Sequence, residues 1–321
     1  MINVLKNDFC RMKPRLAAVL IMLTVTVISI FFAVFITGVQ QVKGHIAVVT
    51  DHNIPNIETS QLRIDTVSTA PLHSALVRQE YDAIATINAD GTYHIETLRN
   101  DDFKNMVEVL LENPQATVPA SKEDRSTGVN VVGFIMIFLG MSSFFYLFPF
   151  AEDKEQGQLL RISASPVSFN RYLAAHLLFC LCSFLPPWIM LVILQAAGWN
   201  IGFTIGQYAF LFLILAVLGS SFALLMHTFI KKPDNANMLG NSLMIVTSTL
   251  AGCFYSFSKE NAILDHVINL IPQKQFINFA IDLQNGEVLQ HLFPMLYIIV
   301  ISLLMFAVAY LKLKHDYAER V

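Results

Sequence analysis

The sequence has few charged residues and many apolar ones. Only 14% of its 321 residues are Asp, Glu, Lys or Arg, whereas 55% are hydrophobic. A typical soluble domain carries about 25% charged residues. The apolar residues are concentrated in long runs that contain no charge at all. This distribution argues against an ordinary soluble domain and indicates a protein of the lipid bilayer.

Motifs for catalysis and for metal binding are missing as well. The sequence contains no Gly-Lys pair, and therefore no phosphate-binding loop of the form GxxxxGK[ST]. HExxH and GxSxG are also absent, and no apolar run carries paired carboxylates. The four cysteines lack the spacing of a zinc site, and none lies in the polar stretch 39–128. We therefore expect no enzymatic activity, no metal, no bound cofactor and no nucleic-acid partner for this chain.

Six apolar runs are long enough to cross a bilayer as helices. The first, Leu16–Gly38, reaches about 35 Å at about 1.5 Å per residue, against a hydrocarbon core of about 30 Å. It is too long for the apolar region of a cleaved signal peptide, so we interpret it as an uncleaved anchor. Pro186 and Pro187 predict a kink near the middle of the third run. The other predicted spans are 129–150, 172–198, 207–230, 238–257 and 292–311, so that spans three to six occupy 172–311.

Basic residues predict the orientation of these spans. They cluster before the first span, in segments 151–171 and 231–237, and after the last span. With six spans all of these segments fall on one side, and cytoplasmic segments carry an excess of Lys and Arg. We therefore expect a multi-pass protein of the bacterial cell membrane, with the amino-terminal segment 1–15 and the tail 312–321 in the cytoplasm and segment 39–128 outside.

The polar segment 39–128 is predicted to form a small α/β domain. Val39–Val49 and Ala83–Asn88 have the composition of strands, and residues 92–97 alternate like the second strand of a hairpin. A helix is predicted from Asp101, because acidic residues suit a first turn and apolar residues then recur on one face. The predicted fold is an α-helical polytopic membrane protein with six transmembrane helices and an extracytoplasmic α/β domain between helices 1 and 2.

The predicted cytoplasmic segment 151–171 carries the most informative pattern. Charges cluster over Glu152–Glu155, Gly157 interrupts the charged stretch, and apolar residues follow beside Arg161. Such a pattern is typical of a short amphipathic helix at a membrane surface. The helix is either a docking element for a cytoplasmic partner or a solvated turn with interfacial anchors. Composition alone leaves both interpretations open.

The same segment resembles the signature of ABC exporter permeases of the second type. Those proteins follow their second span with Glu, a basic-acidic-x-Gly stretch, an apolar pair and Ser/Thr-Pro, and Gln158 here replaces their usual Thr or Ser. The resemblance covers the whole chain, as one helix, a large outer domain and five helices, with an outer re-entrant segment at about 258–291. The matching residues are Glu152, Lys154, Glu155, Gly157, Leu159, Leu160, Ser165, Pro166 and Tyr172 in the signature, and Gly252, Pro272 and Phe276 around the re-entrant segment.

The resemblance implies the permease subunit of an ATP-driven exporter. The implied partners are a dimeric cytoplasmic ABC ATPase that binds ATP and Mg, a second copy of the chain or a paralogous permease, and membrane lipids. Uncharged spans favour an amphipathic cargo such as an antimicrobial peptide, a drug or a lipid-like molecule, and hence a role in multidrug or peptide resistance. The alternative is a membrane sensor with an extracytoplasmic ligand-binding domain. The residues implied in coupling to the ATPase are Glu152, Lys154, Glu155, Gly157, Leu159, Leu160, Arg161 and Pro166.

Small residues on two of the spans predict close approach of helices. Gly133 and Gly140 fall one heptad apart on the second span, and Ala216 and Ser220 form a small-xxx-small pair on the fourth. Faces of this kind let helices pack tightly. The contacts lie either within the chain or at a dimer seam, and the sequence leaves both open.

Overall fold

The computed structural model divides into two compact units, and each is described by itself. The first unit combines residues 1–34 with 125–321, and the second comprises residues 35–124. The structure describes residues 2–40, 44–49, 62–69, 71–78, 80–87, 93–98, 101–113, 126–163, 168–254, 262–287 and 291–318.

The chain begins with an amphipathic helix that leads into an apolar one. Helix α1 (Ile2–Met12) is followed by a turn of 3-10 helix, Lys13–Arg15, and then by α2 (Leu16–Gln40). Pro14 lies in the turn, where a missing backbone N–H costs little. The first predicted span therefore starts where expected. The helix α1 before it was not predicted.

The second unit is built on a four-stranded sheet with the order β2-β1-β3-β4. Strand β1 pairs in parallel with β2 and with β3, and β3 pairs antiparallel with β4. The predicted hairpin is observed, whereas β2 was not predicted. The elements of this unit are β1 (Gly44–Val49), β2 (Leu62–Val67), α3 (Ser74–Val77), β3 (Ala83–Ile87), β4 (Tyr93–Thr97) and α4 (Asp101–Glu112).

Helices cover both faces of the sheet in this unit. The predicted apolar face of α4, including Val107 and Leu110, packs with Ile46 of the central strand β1. The next residue of β1, Ala47, is buried on the other face with Leu76 of α3. This alternation follows from the period of two residues in a strand. The extracytoplasmic location of the unit stays a prediction.

The second predicted span continues as helix into the charged segment. Helix α5 (Thr127–Tyr146) is followed, after a turn at Leu147, by α6 (Phe148–Glu155) and then by α7 (Gln158–Ser163). Gly157 separates α6 from α7 with a φ of 68°, a left-handed conformation that favours glycine. The charged residues therefore extend the span, and the apolar ones form a separate short helix.

The third predicted span is interrupted near its middle, as its proline pair predicted. Helix α8 (Phe169–Leu181) ends in a 3-10 turn, Cys182–Phe184, before α9 (Leu185–Ala196) begins. Pro186 and Pro187 cannot donate backbone hydrogen bonds, so the α-helical ladder breaks in the preceding turn. The next helix, α10 (Ile205–Phe229), is regular and starts with a capping box.

The last part of the helical unit consists of α11 (Pro233–Leu250), α12 (Ala262–Asn269), α13 (Pro272–Asn285) and α14 (Phe293–Ala318). Helix α11 covers the predicted span 238–257 only in part, because it starts at Pro233 and ends at Leu250. Gly252 follows in a left-handed turn with a φ of 84°. Helices α12 and α13 occupy the connection that was predicted to be re-entrant.

Five helical segments among the described residues are long and apolar enough to cross a membrane. The chain is therefore a multi-pass membrane protein. Helix α11 does not meet the same criterion, because its first half is polar, with Asp234, Asn237 and Asn241. The predicted total of six spans thus stays a prediction. The five segments are Ile2–Phe35, Thr127–Glu155, Phe169–Ala196, Ile205–Phe229 and Phe293–Asp316.

Helix α5 lies at the centre of the helical unit and is buried along most of its length. A Cβ atom added at Gly133 would lie 2.3 Å from the carbonyl oxygen of Cys253, and one added at Gly140 would lie 1.8 Å from Cε of Met244. Both glycines therefore allow close contacts within the chain. Ala216 and Ser220 of α10 are buried in the same unit. Their use at a dimer seam stays a prediction.

Candidate functional site

Two carboxylates of α6 form ion pairs with the amino-terminal region. The guanidinium of Arg11 lies 2.9 Å from Glu152 and 2.7 Å from Asp153. The guanidinium of Arg15 lies 2.6 Å from Glu152 and also 4.2 Å from the centroid of the Phe148 ring. All four charged side chains are between 13% and 30% exposed. Partial burial makes these pairs stronger than ion pairs that are fully exposed to water.

Asp153 also connects α6 to α8. The Tyr172 hydroxyl donates a hydrogen bond of 2.6 Å to its carboxylate. Nε2 of His176, one turn further along α8, lies 4.0 Å from the same Oδ2 atom. The other ring nitrogen of His176 lies 2.9 Å from the carboxylate of Asp8 in α1. Helices α1, α6 and α8 therefore meet at one charged cluster.

Lys154 connects the same helix to the end of α10. Its ammonium group donates hydrogen bonds to the carbonyl oxygen of His227, at 2.7 Å, and to that of Thr228. Carbonyl groups in the last turn of a helix have no partner within the helix, and a positive charge at that end also suits the helix dipole. The charged end of α6, Glu152–Glu155, is thus held on two sides by other helices of the same chain.

The other predicted coupling residues divide into exposed and buried ones. Glu155 and Arg161 are exposed, whereas Leu159 is buried in the helical core. Pro166 lies outside the described residues, as does the side chain of Leu160. Among the predicted coupling residues whose side chains the structure describes, the exposed ones are therefore Glu155 and Arg161.

An open cleft of about 690 Å³ lies between α1 and the segment formed by α6 and α7. Its walls combine the carboxylates of α6 with neutral amide side chains, which both donate and accept hydrogen bonds. A cleft with this lining is chemically complementary to the polar surface of another protein, because it can donate hydrogen bonds to that surface and accept them from it. The lining residues include Asn3, Asn7, Gln156, Gln158, Glu152 and Asp153.

The contribution of α1 to this cluster was not predicted. The basic residues before the first span served only as a signal for the orientation of the spans. Asp8, Arg11 and Arg15 are spaced by three and four residues, which places them on one face of a helix. That spacing is the signal that predicts a charged face, although it does not identify the partner. The side chain of His176, which meets this cluster from α8, is fully buried.

Residues of the predicted re-entrant segment also lie in the helical unit. Pro272 occupies the first turn of α13, and Phe276 is fully buried. At the carboxyl end of that helix and just after it, one ligand atom each from Asp282, Glu287 and His291 lies within 4.8 Å of the other two. Burial raises the pKa of Asp282, and Glu287 acts in the same direction while His291 opposes it. Two of the three groups are exposed, and such groups commonly cluster without an ion, so the arrangement assigns no metal site.

Comparison with known families decides the class of the protein. The model of the ABC-2 family transporter proteins matches residues 16–311. The chain belongs to the ABC-2 transporter family. The resemblance seen in the sequence is thereby confirmed, and the chain is a membrane subunit of an ABC transporter. ABC-2 permeases generally work with a cytoplasmic ATPase. Comparison with curated proteins gives no match.

Proposed function

We propose that this ABC-2 chain is the permease subunit of an ATP-driven exporter, and that the charged end of α6 docks its ATPase. One observation carries the proposal. Helix α6 continues a central buried helix, is held by Arg11 on one side and by the end of α10 on the other, and still exposes Glu155. A helix that is fixed by contacts on two sides and exposes one charged residue is suited to receive a displacement from a partner and pass it to the rest of the chain.

These contacts connect α6 mechanically to two other helices. A partner that displaces α6 also pulls on α1 through the Arg11 ion pairs and on α10 through Lys154. Packed helices move as rigid bodies, so a displacement at one end reaches the other end of each span. The permease then has two arrangements in equilibrium. ATP binding to the partner shifts this equilibrium only by the difference between the partner's affinities for the two arrangements.

Further parts of the proposal concern cargo and assembly. The ATPase dimer binds ATP and Mg, and hydrolysis takes place there and not in this chain. The cargo is amphipathic and moves outward across the bacterial cell membrane, while the second unit lies outside the cell. The exposed apolar faces of α11 and α14 support contact with lipid or with a second permease, identical or paralogous. These faces include Met238, Leu243 and Val246 on α11, and Leu296, Val300, Leu303 and Leu311 on α14.

The test is purification of the chain together with the ATPase encoded by a neighbouring reading frame, followed by measurement of ATP turnover with candidate amphiphiles. The decisive variant is Glu155→Lys. We expect it to weaken retention of the ATPase by roughly tenfold, because about 1.4 kcal/mol of interface energy corresponds to that factor. Cargo-stimulated turnover should fall with it.

Glu108→Lys is the matched control. Glu108 is an exposed acidic residue on α4, in the unit that we place outside the cell. The substitution makes the same change of charge where no cytoplasmic partner can reach it. Equal retention of the ATPase by both variants and the unmodified chain would contradict docking at α6. A chain that binds no ATPase but responds to an external ligand would favour the sensor.

A further inference from the structure

The interruption of the third span borders a small cavity inside the helical unit. The cavity has a volume of about 20 Å³ and lies between α2, α5 and the 3-10 turn that precedes α9. About 10–15 Å³ of such space is enough to hold one water molecule. The side chains that matter below are Met22 and Thr26 of α2, Ser142 and Tyr146 of α5, Ser183 of the turn and Pro187 of α9.

The hydroxyl of Ser183 is the unusual group in this lining. The residue is 4% exposed, and among the described residues its Oγ atom has no hydrogen-bond partner. A buried hydroxyl without a partner costs free energy, and the hydrocarbon of a bilayer offers none. The described part of the chain therefore leaves this hydroxyl in need of an acceptor.

Pro187 removes a hydrogen-bond donor at the same place. In an α-helix the N–H of residue 187 would bond to the carbonyl oxygen of residue 183, but proline has no N–H. Spans tolerate such prolines where side chains or ordered waters satisfy the backbone group that is freed. Ser183 and Pro187 both line the cavity. The backbone carbonyl that loses its helical donor and the hydroxyl that has no acceptor thus belong to the same residue.

Two further buried hydroxyls in the lining are already used as donors. Thr26 donates to the carbonyl oxygen of Met22 at 2.8 Å, and Ser142 donates to that of Phe138 at 2.7 Å. A hydroxyl that donates its hydrogen still has lone pairs that accept hydrogen bonds. The cavity therefore combines a free donor on Ser183 with acceptors on α2 and α5. A molecule that accepts one hydrogen bond and donates two is complementary to this set.

We propose that the cavity is a binding site for one water molecule, which accepts a hydrogen bond from Ser183 and donates to the hydroxyls of Thr26 and Ser142. The water supplies the hydrogen bonding that the proline pair removes from the third span. It also joins that span to α2 and α5 at the point where the α-helical ladder is interrupted. The site does not rest on the proposed docking of an ATPase.

Other small ligands fit the same lining less well. Among the described residues, none that lines the cavity is charged, so a bound ion would be buried without a countercharge. A lipid chain or an amphipathic cargo exceeds the volume and offers no acceptor to Ser183. A buried water usually makes about three hydrogen bonds to polar groups that otherwise lack a partner. Water is therefore the ligand that matches both the volume and the hydroxyls.

Radiolytic labelling tests the proposal on the full chain in nanodiscs without the ATPase. X-rays convert bound water into hydroxyl radicals, which oxidise the nearest side chains. A hydrated cavity should therefore give oxidation of Met22 and Tyr146, measured by mass spectrometry. Met136 is the internal reference, because it is fully buried in α5 and is not part of the lining. We expect Met22 and Tyr146 to be oxidised well above the level of Met136.

A pair of substitutions separates the hydroxyl from the space that the side chain fills. Ser183→Val removes the hydroxyl, whereas Ser183→Thr keeps it in a side chain of the same shape as valine. We expect the valine variant to lower oxidation of Met22 and Tyr146 by about tenfold, because one hydrogen bond to the water is lost. The threonine variant should keep most of the oxidation. Ser302→Val is the matched control, since Ser302 of α14 is also buried with an unpartnered hydroxyl among the described residues but lies outside this lining.

Three results would overturn the proposal. The first is oxidation of Met22 and Tyr146 that does not exceed the level of Met136 in the unmodified chain. The second is equal oxidation in the valine and threonine variants at position 183. The third is a fall in Ser302→Val as large as that in Ser183→Val. If Ser183→Val does not fold, Ser142→Val takes its place, because it removes an acceptor of the same water, and unchanged oxidation in that variant would contradict the site.

Discussion

Replacing Gly133 by alanine tests whether the small residues of α5 serve contacts within the chain. The added Cβ would lie 2.3 Å from the carbonyl oxygen of Cys253, and the carbonyl carbon would be 3.2 Å away. An ordinary contact is about 3.4 Å or longer, so the backbone after α11 must move by about 1 Å. A backbone carbonyl cannot rotate away as the end of a flexible side chain can.

The expected loss of stability combines two opposing effects. Overpacking of a tight interior costs about 1–3 kcal/mol, and alanine gains about 1 kcal/mol over glycine in a helix. The net loss for Gly133→Ala is therefore about 0–2 kcal/mol. Gly140→Ala should lose less, because the atom nearest to its Cβ is Cε of Met244, the tip of a flexible side chain. Gly206→Ala is the control, since nothing lies within 4 Å of its Cβ.

The assay is reversible unfolding by SDS titration in mixed micelles, with the dimer fraction measured in parallel by light scattering. The expected order of stability is Gly206→Ala, then Gly140→Ala, then Gly133→Ala. A Gly133→Ala variant that is as stable as Gly206→Ala would refute the argument from close packing. If its stability is unchanged but its dimer fraction falls, Gly133 lies at a dimer seam and not in an intrachain contact.

Two further substitutions probe how α6 is held. Lys154→Met removes the donor to the carbonyl oxygens of His227 and Thr228, so we expect a loss of about 1–3 kcal/mol in the same SDS titration and faster amide exchange in α6. Unchanged exchange in α6 would show that this contact does not hold the helix. Gly157→Ala should cost about 1–2 kcal/mol, because its φ of 68° is unfavourable for a residue with a Cβ even though nothing lies within 4 Å. Gly157→Asn should recover much of that loss, and equal stability of the Ala variant and the unmodified chain would contradict the conformational argument.

The sequence predicted those parts of the fold that depend on local periodicity. Five of the predicted spans overlap helices that are long and apolar enough to cross a membrane, because the thickness of the bilayer sets both length and composition. The hairpin of β3 and β4 and the apolar face of α4 follow from periods of 2 and 3.6 residues. Strand β2 was missed because its parallel pairing with β1 is a contact between distant segments. The early start of α11 was missed because its first half is polar.

The candidate site was predicted less completely. The sequence located the charged segment after the second span, but it assigned Glu152 and Lys154 to a partner. Their contacts with Arg11 and with the end of α10 join residues that are far apart in the sequence. No local pattern encodes which distant charge a carboxylate will meet. Among the predicted coupling residues whose side chains the structure describes, Glu155 and Arg161 are exposed, so their assignment to a partner fits their exposure.

This division changes how the charged segment should be tested. Reversing the charge at Glu152 and Glu155 together would combine two effects, because Glu152 forms partly buried ion pairs with Arg11 and Arg15 whereas Glu155 is exposed. A change at Glu152 leaves two guanidinium groups without that carboxylate and disturbs the contact between α1 and α6. A change at Glu155 leaves those pairs intact. Loss of ATPase retention therefore reports on docking only when two conditions hold. Glu155 alone is changed, and hydrogen exchange of the backbone amides of α1 is the same as in the unmodified chain.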